Sequence, residues 1–133
     1  YMPVGRRREL HNIKALLAWA KDLIEQQPRR IRIILCGDLN VHLGPGRRRR
    51  PGLGREGDEA YPPTGVAGPT RRAWHAGYFE TVLRDLGLTA INTHWEEGAG
   101  DTYYDGRGYS SRIDYIAIPV GAVDDVVGCV RGV

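Results

Sequence analysis

The run Ile31-Arg32-Ile33-Ile34-Leu35-Cys36, bounded by Pro28 and Gly37, constrains this chain more than any other stretch. It is short, rich in β-branched residues and closed by a glycine, so it reads as a buried strand opening into a loop at Asp38. No apolar stretch approaches the ~20 residues that cross a bilayer, and the start lacks the apolar core of a signal peptide. A chain of 133 residues is long enough for one domain with a real core.

What flanks the strand sets the fold class. Over residues 9–27, Leu10, Ile13, Leu17, Ala20 and Ile24 recur at helical spacing, Leu16 and Leu23 widen the stripe, and Pro28 stops the helix. A second helix is expected over 72–86, where Trp74, Tyr78, Phe79, Val82, Leu83 and Leu86 keep the same rhythm and Gly87 supplies the C′ stop. Short strands follow at 89–93, 102–104 and 112–118, with a tight turn at Asp105-Gly106-Arg107-Gly108 between the last two. This order predicts an α/β architecture, a mixed sheet with helices on one face. Residues 44–70 have no periodicity and are dominated by Gly, Pro and Arg, including Arg47-Arg48-Arg49-Arg50, so they read as a long mobile insertion. No internal repeat is present.

The formal charge is only +3, yet 17 of the 19 positive side chains are Arg, whose planar fork binds phosphate bidentately. That favours an anionic ligand, although Arg-rich coding also places Arg on ordinary solvated faces. Cys36 and Cys129 have neither metal-ligand spacing nor the density of a disulfide scaffold, which makes an intracellular, reduced setting the default. The chain starts Tyr1-Met2-Pro3 and stops at Val133 after an apolar run, so both ends are expected to be cut from a longer protein.

Two polar insertions into apolar surroundings carry the candidate chemistry. In Cys36-Gly37-Asp38-Leu39-Asn40 a carboxylate and an amide stand two positions apart beyond a strand, and on extended backbone both project to one side. The carboxylate can take a proton from water or hold a divalent metal, and the amide can donate to a phosphate oxygen. An Asx turn closing the strand explains the same residues. In Ser110-Ser111-Arg112-Ile113-Asp114-Tyr115-Ile116-Ala117-Ile118, alternation puts Arg112, Asp114 and Ile116 on one face, and a charge inside a strand is costly unless paired. A salt bridge from Asp114 to Arg112 or another Arg accounts for that residue equally.

Taken in order, Tyr1-x-Pro3, a helix, Leu35-Cys36-Gly37-Asp38-Leu39-Asn40-Val41, Asn92-Thr93, Asp101-Thr102-Tyr103 and Ser111-Arg112-Ile113-Asp114-Tyr115-Ile116 resemble the endonuclease/exonuclease/phosphatase family. The stretch from Asn92-Thr93-His94-Trp95 through Ile116 is most similar to its retroelement-type endonucleases. The resemblance implies the second half of a DNase I-like α/β sandwich. It implies that Asp38 activates the attacking water, Asn40 binds the scissile phosphate, Tyr1 sits against that phosphate and Asp114 orients a catalytic histidine. Thr102 and Tyr103 would line the substrate groove, with Arg112 as a further substrate contact. The implied reaction is in-line hydrolysis of a phosphodiester, with Mg²⁺ or Mn²⁺ neutralising charge on the phosphate and leaving oxygen.

The sequence also departs from the family's pattern. An upstream Asn and a metal-binding Glu would precede Tyr1, and no Asp-His pair follows Ile118. None of His11, His42, His75 or His94 takes that place, and His42, just beyond Asn40, reads as a loop residue. The isolated chain is therefore expected to be inactive or very weak. It would need the remainder of its domain or associate through an exposed apolar sheet face. Arg6 to Arg8 and Arg47 to Arg50 are candidates for sequence-independent phosphate contacts. The leading expectation is a DNA-directed nuclease domain derived from a retroelement, in an intracellular and plausibly nuclear setting. A non-catalytic remnant that binds nucleic acid and a phosphatase on small phosphoesters such as inositol phosphates stand beside it.

Overall fold

The computed structural model describes residues 4–45, 62–68, 70–95 and 100–129. The first helix, α1, spans Val4–Glu25 and so begins earlier than its apolar periodicity. Leu10, Ile13, Leu17, Ala20 and Ile24 are half-buried along one stripe, as spaced. Leu16 and Leu23 do not widen it: they are 58% and 47% exposed. One half-buried stripe is what a helix laid over a core from outside requires.

The strand after Pro28 is displaced from its expected place. β1 spans Leu35–Asp38, while Ile31 and Ile34 upstream are exposed. The reason is pairing, because β1 is an edge strand and its ladder begins where Leu35 meets Ala117 of β5 (Asp114–Pro119). β-branched composition marks a stretch fit for a sheet but cannot say where its partner begins.

Helix α2 is Ala76–Asp85, shorter at its start than expected. Residues 72 and 73 are held outside it by the loop after β1: the Ala73 amide donates to the His42 carbonyl at 2.7 Å, and Arg72 Nη1 donates to the Leu43 carbonyl at 2.7 Å. The stop at Gly87 is as read, with φ +65° and its amide on the Arg84 carbonyl. β2 is Leu88–Ala90, and Ile91–Thr93, expected as more strand, forms a 3₁₀ turn. β3 (Tyr103–Tyr104) and β4 (Ser110–Ser111) make a separate hairpin. A 3₁₀ helix over Val120–Asp125, unforeseen in the sequence, follows β5.

The expected mixed α/β architecture is present, with a sheet in the order β1-β5-β2. Both of its ladders are antiparallel, and a single parallel bridge joins Thr64 to Ala90. Tyr115, Ala117 and Ala90 from one face of this sheet pack with Phe79 and Leu83 of α2, Val41 and Leu43, while Ile13 and Leu17 of α1 close over them. The helices thus share one face. On the opposite face Cys36 is exposed and Ile116 is 43% exposed, while Ile118 and its partner Thr89 at the β2 end are buried, Ile118 against Val123 and Ile91.

The described part of the insertion is docked. Pro63 accepts from the Ala90 amide at 2.8 Å, and the Gly65 amide donates to Thr93 Oγ1 at 2.6 Å. A Cβ on Gly65 would lie 2.2 Å from the Thr93 carbonyl oxygen, so this approach demands glycine. Arg47 to Arg50 lie outside the described residues. No helix among the described residues is long and apolar enough to cross a membrane.

Candidate active site

The register of β1 against β5 places Asp38 directly opposite Asp114. Directly opposed residues of an antiparallel pair project to the same face, here the one away from the helices. Like charges directly opposite one another on a ladder are destabilising. A sheet built for stability alone would not choose this pair.

Asn40 does not follow on extended backbone. Its φ of +48° turns the chain, and its amide donates to Asp38 Oδ1 at 2.7 Å. The Asx turn is therefore real, and it is compatible with function because it orients the carboxylate while leaving Oδ2 without a hydrogen bond among the described residues. Both side chains are exposed.

The loop beyond Asn40 is held from beneath by Tyr115, which is 3% exposed. Its hydroxyl receives the Leu43 amide at 3.0 Å and faces the carbonyls of Val41 and Arg112 at 3.0 and 3.1 Å. From the other side Thr102 Oγ1 accepts from the Ile113 and Asp114 amides at 3.3 and 3.2 Å, tying the hairpin to the start of β5. Asn92 extends the support: its Nδ2 donates to the Asp114 carbonyl at 3.1 Å and its Oδ1 accepts from the Ile116 amide at 3.2 Å. A buried amide on a 3₁₀ turn is a visible signal, but nothing in the sequence links it to a backbone 22 residues away.

Arg112 is not on the Asp114 face. It precedes β5, is 2% exposed, donates to the Ala67 carbonyl at 2.8 Å and lies over the Tyr115 ring at 5.7 Å. Alternation fails here because the strand starts at Asp114. Tyr103 is 47% exposed on β3 beside Thr102, and Tyr1 lies outside the described residues.

Histidines near the site differ in setting. Burial lowers the His42 pKa, with Arg71 next in importance, while Asp101 pulls the other way. Burial also lowers His94. The Thr89 hydroxyl spends its proton on the Pro62 carbonyl at 2.6 Å, which leaves His94 Nε2 as the donor in their 2.8 Å contact. His94 is thus a structural tie between β2 and the docked insertion.

No group of three His, Cys, Asp or Glu that would enclose a metal is gathered among the described residues. Mg²⁺ nevertheless takes hard oxygen donors, commonly one or two carboxylates together with water and substrate phosphate. The opposed pair of exposed Asp38 and half-buried Asp114 fits that donor type.

Comparison with known proteins bears on this arrangement. The chain matches the Endonuclease/Exonuclease/phosphatase family over residues 2–130. No curated protein and no solved structure matches it significantly. The helices and antiparallel ladders agree with that family's DNase I-like fold, its chemistry is hydrolysis of phosphodiesters or phosphoesters, and its members generally depend on a divalent metal. A match across nearly the whole chain, on a fold that sets Gly37-Asp38-Leu39-Asn40 against Asp114, means that this protein belongs to the endonuclease/exonuclease/phosphatase family.

Proposed function

We propose that the chain supplies the Asp38–Asn40–Asp114 part of a metal-dependent phosphodiesterase acting on nucleic acid, with DNA the first substrate to test and a retroelement-type endonuclease the nearest functional class. The observation that carries this reading is the opposed carboxylate pair at the mouth of a supported loop. Mg²⁺ or Mn²⁺ held by Asp38, with Asp114 beside it, would neutralise charge developing on the phosphate and the leaving oxygen. Asp38 orients and deprotonates the attacking water, Asn40 donates its amide to a phosphate oxygen, and Tyr1 steadies the phosphate. Asp114 would orient a catalytic imidazole by accepting its ring N–H. Thr102 holds the β5 backbone in place, and the exposed Tyr103 would line the substrate groove from the hairpin.

A polymeric substrate is favoured over a small phosphoester by the hairpin beside the carboxylates, which exposes Tyr103, Tyr104 and Tyr109. Tyrosine hydroxyls are among the groups that contact the phosphates and sugars of a DNA duplex. An intracellular, nuclear setting suits such a substrate. The test is plasmid nicking at low salt with Mg²⁺ or Mn²⁺, beside a band-shift on the same samples. Metal-dependent nicking that falls by about a thousandfold or more in Asp38→Ala supports the reading. Nicking unaffected by that change refutes it; no nicking fits an incomplete or dead nuclease, and the band-shift then decides whether DNA binding survives.

A further inference from the structure

The rim beside Asn40 carries two adjacent arginines with opposite fates. The loop of residues 41–45 runs against residues 70–73, and Gly44, at φ +69°, brings its Cα so close that a Cβ would lie 2.9 Å from Arg72 Cβ. Arg72 turns inward, where its guanidinium pairs with Glu80, Nη2 to Oε2 at 2.7 Å, and caps the Leu43 carbonyl. That carboxylate satisfies its charge and raises its pKa further.

Arg71 turns outward. Its Nη1 donates to the Tyr109 hydroxyl, and its guanidinium carbon lies 5.6 Å from the centre of the Tyr109 ring. His42 Nε2 lies 3.4 Å from the same hydroxyl. Both Arg71 and Tyr109 are exposed, and no carboxylate pairs with Arg71 among the described residues. Asp101, the acidic side chain that acts on His42, is engaged by the Ser110 hydroxyl at 2.5 Å. An arginine steadied by a neutral hydroxyl and a ring is held in direction without being neutralised, and most of its N–H donors remain for an anion. The chain connects this group to the carboxylates on both sides: His42 is two residues beyond Asn40, and β4 leads from Tyr109 towards Asp114.

We propose that Arg71, aimed by Tyr109, contacts a backbone phosphate of double-stranded DNA lying across the rim, next to the phosphodiester held at Asp38 and Asn40. This rests on the phosphodiesterase reading. It also transfers to Arg71 the substrate contact that the sequence pattern assigns to Arg112, whose burial leaves it inside the fold.

The salt dependence of binding separates a phosphate contact from a general effect of charge. Each phosphate neutralised on duplex DNA adds about 0.9 to the slope of log K against log salt. Anisotropy of a labelled duplex would be followed across NaCl concentrations, with Ca²⁺ in place of Mg²⁺, for the wild type, Arg71→Ala, Arg71→Lys, Tyr109→Phe and Arg32→Ala. Arg32 carries the same charge but pairs with Asp125 at 3.1 Å, away from the rim. Arg71→Ala is expected to lower the slope by about one and weaken low-salt binding about three- to tenfold. Arg71→Lys and Tyr109→Phe should keep the slope and lose about two- to threefold in affinity, because the charge stays while its direction is lost. Arg32→Ala should match the wild type. An unchanged slope in Arg71→Ala, or an equal drop in Arg32→Ala, overturns the contact while leaving the nuclease reading intact. Should Arg71→Ala fail to fold by circular dichroism, Arg71→Lys decides, since wild-type affinity there also overturns the contact. A wild type that binds no duplex overturns the DNA reading, and this inference with it.

Discussion

The two faces of the β1–β5 ladder are built to opposite rules. Facing the helices, Tyr115 and Ala117 are 3% and 2% exposed, and the one polar group, the Tyr115 hydroxyl, has a partner on every side. Facing away, one residue along, Asp114 opposes Asp38 and an exposed Ile116 opposes an exposed Cys36. The inner face satisfies every demand of a stable core. The outer face tolerates like charges and uncovered apolar surface, the kind of local conflict that natural sequences keep at functional sites.

Four substitutions or conditions would sharpen or break this contrast. The largest effect is expected inside: Tyr115→Phe removes one oxygen and leaves the Leu43 amide and its neighbours unsatisfied, which should cost about 1–3 kcal/mol in denaturant unfolding. A loss within a few tenths would mean that the hydroxyl does not hold the loop after Asn40. Outside, the sign should reverse. Asp38→Asn keeps an oxygen for the Asn40 amide but removes the repulsion, so it should stabilise the chain by about 0.2–1 kcal/mol while abolishing nicking. Mg²⁺ should raise the melting temperature of the wild type and not of Asp38→Asn; equal shifts would show that the pair is not where metal binds.

The smallest effect is a pH dependence set by His94. Burial holds its folded pKa below the ordinary value of 6.5, so the unfolded chain takes up protons first as the pH falls. Stability should be level above about 6.5 and decline below it, until the depressed folded value is passed. His94→Gln should flatten that decline, and a profile identical to wild type would assign the acid sensitivity elsewhere, with His42, also lowered, the next candidate.

Much of this was legible in order and type. Leu10, Ile13, Leu17, Ala20 and Ile24 announce the buried stripe of α1, and Gly87 announces the end of α2. Asp38, Asn40 and Asp114 stood out as polar residues in apolar surroundings, and the structure gathers them at one rim through the ladder and the Asx turn. The misplacements share a cause. Residues 31–34 qualify as strand but lie before the first rung of the β5 ladder, Arg112 qualifies as a surface charge but is drawn beneath the docked insertion, and Arg72 to His75 qualify as helix but spend their groups on the loop after β1. Each depends on a partner remote in sequence.

The sequence by itself determined the order of the two helices and the core of the strands, though not their bounds, and which residues had the chemistry for phosphodiester hydrolysis, because periodicity, turn chemistry and side-chain type are local properties. Only the tertiary structure decided that Asp38 faces Asp114, that Arg112 goes inside while Arg71 stays out, and that Tyr115 anchors the loop between them. Register, burial and charge pairing are set by groups that meet only after the chain has folded.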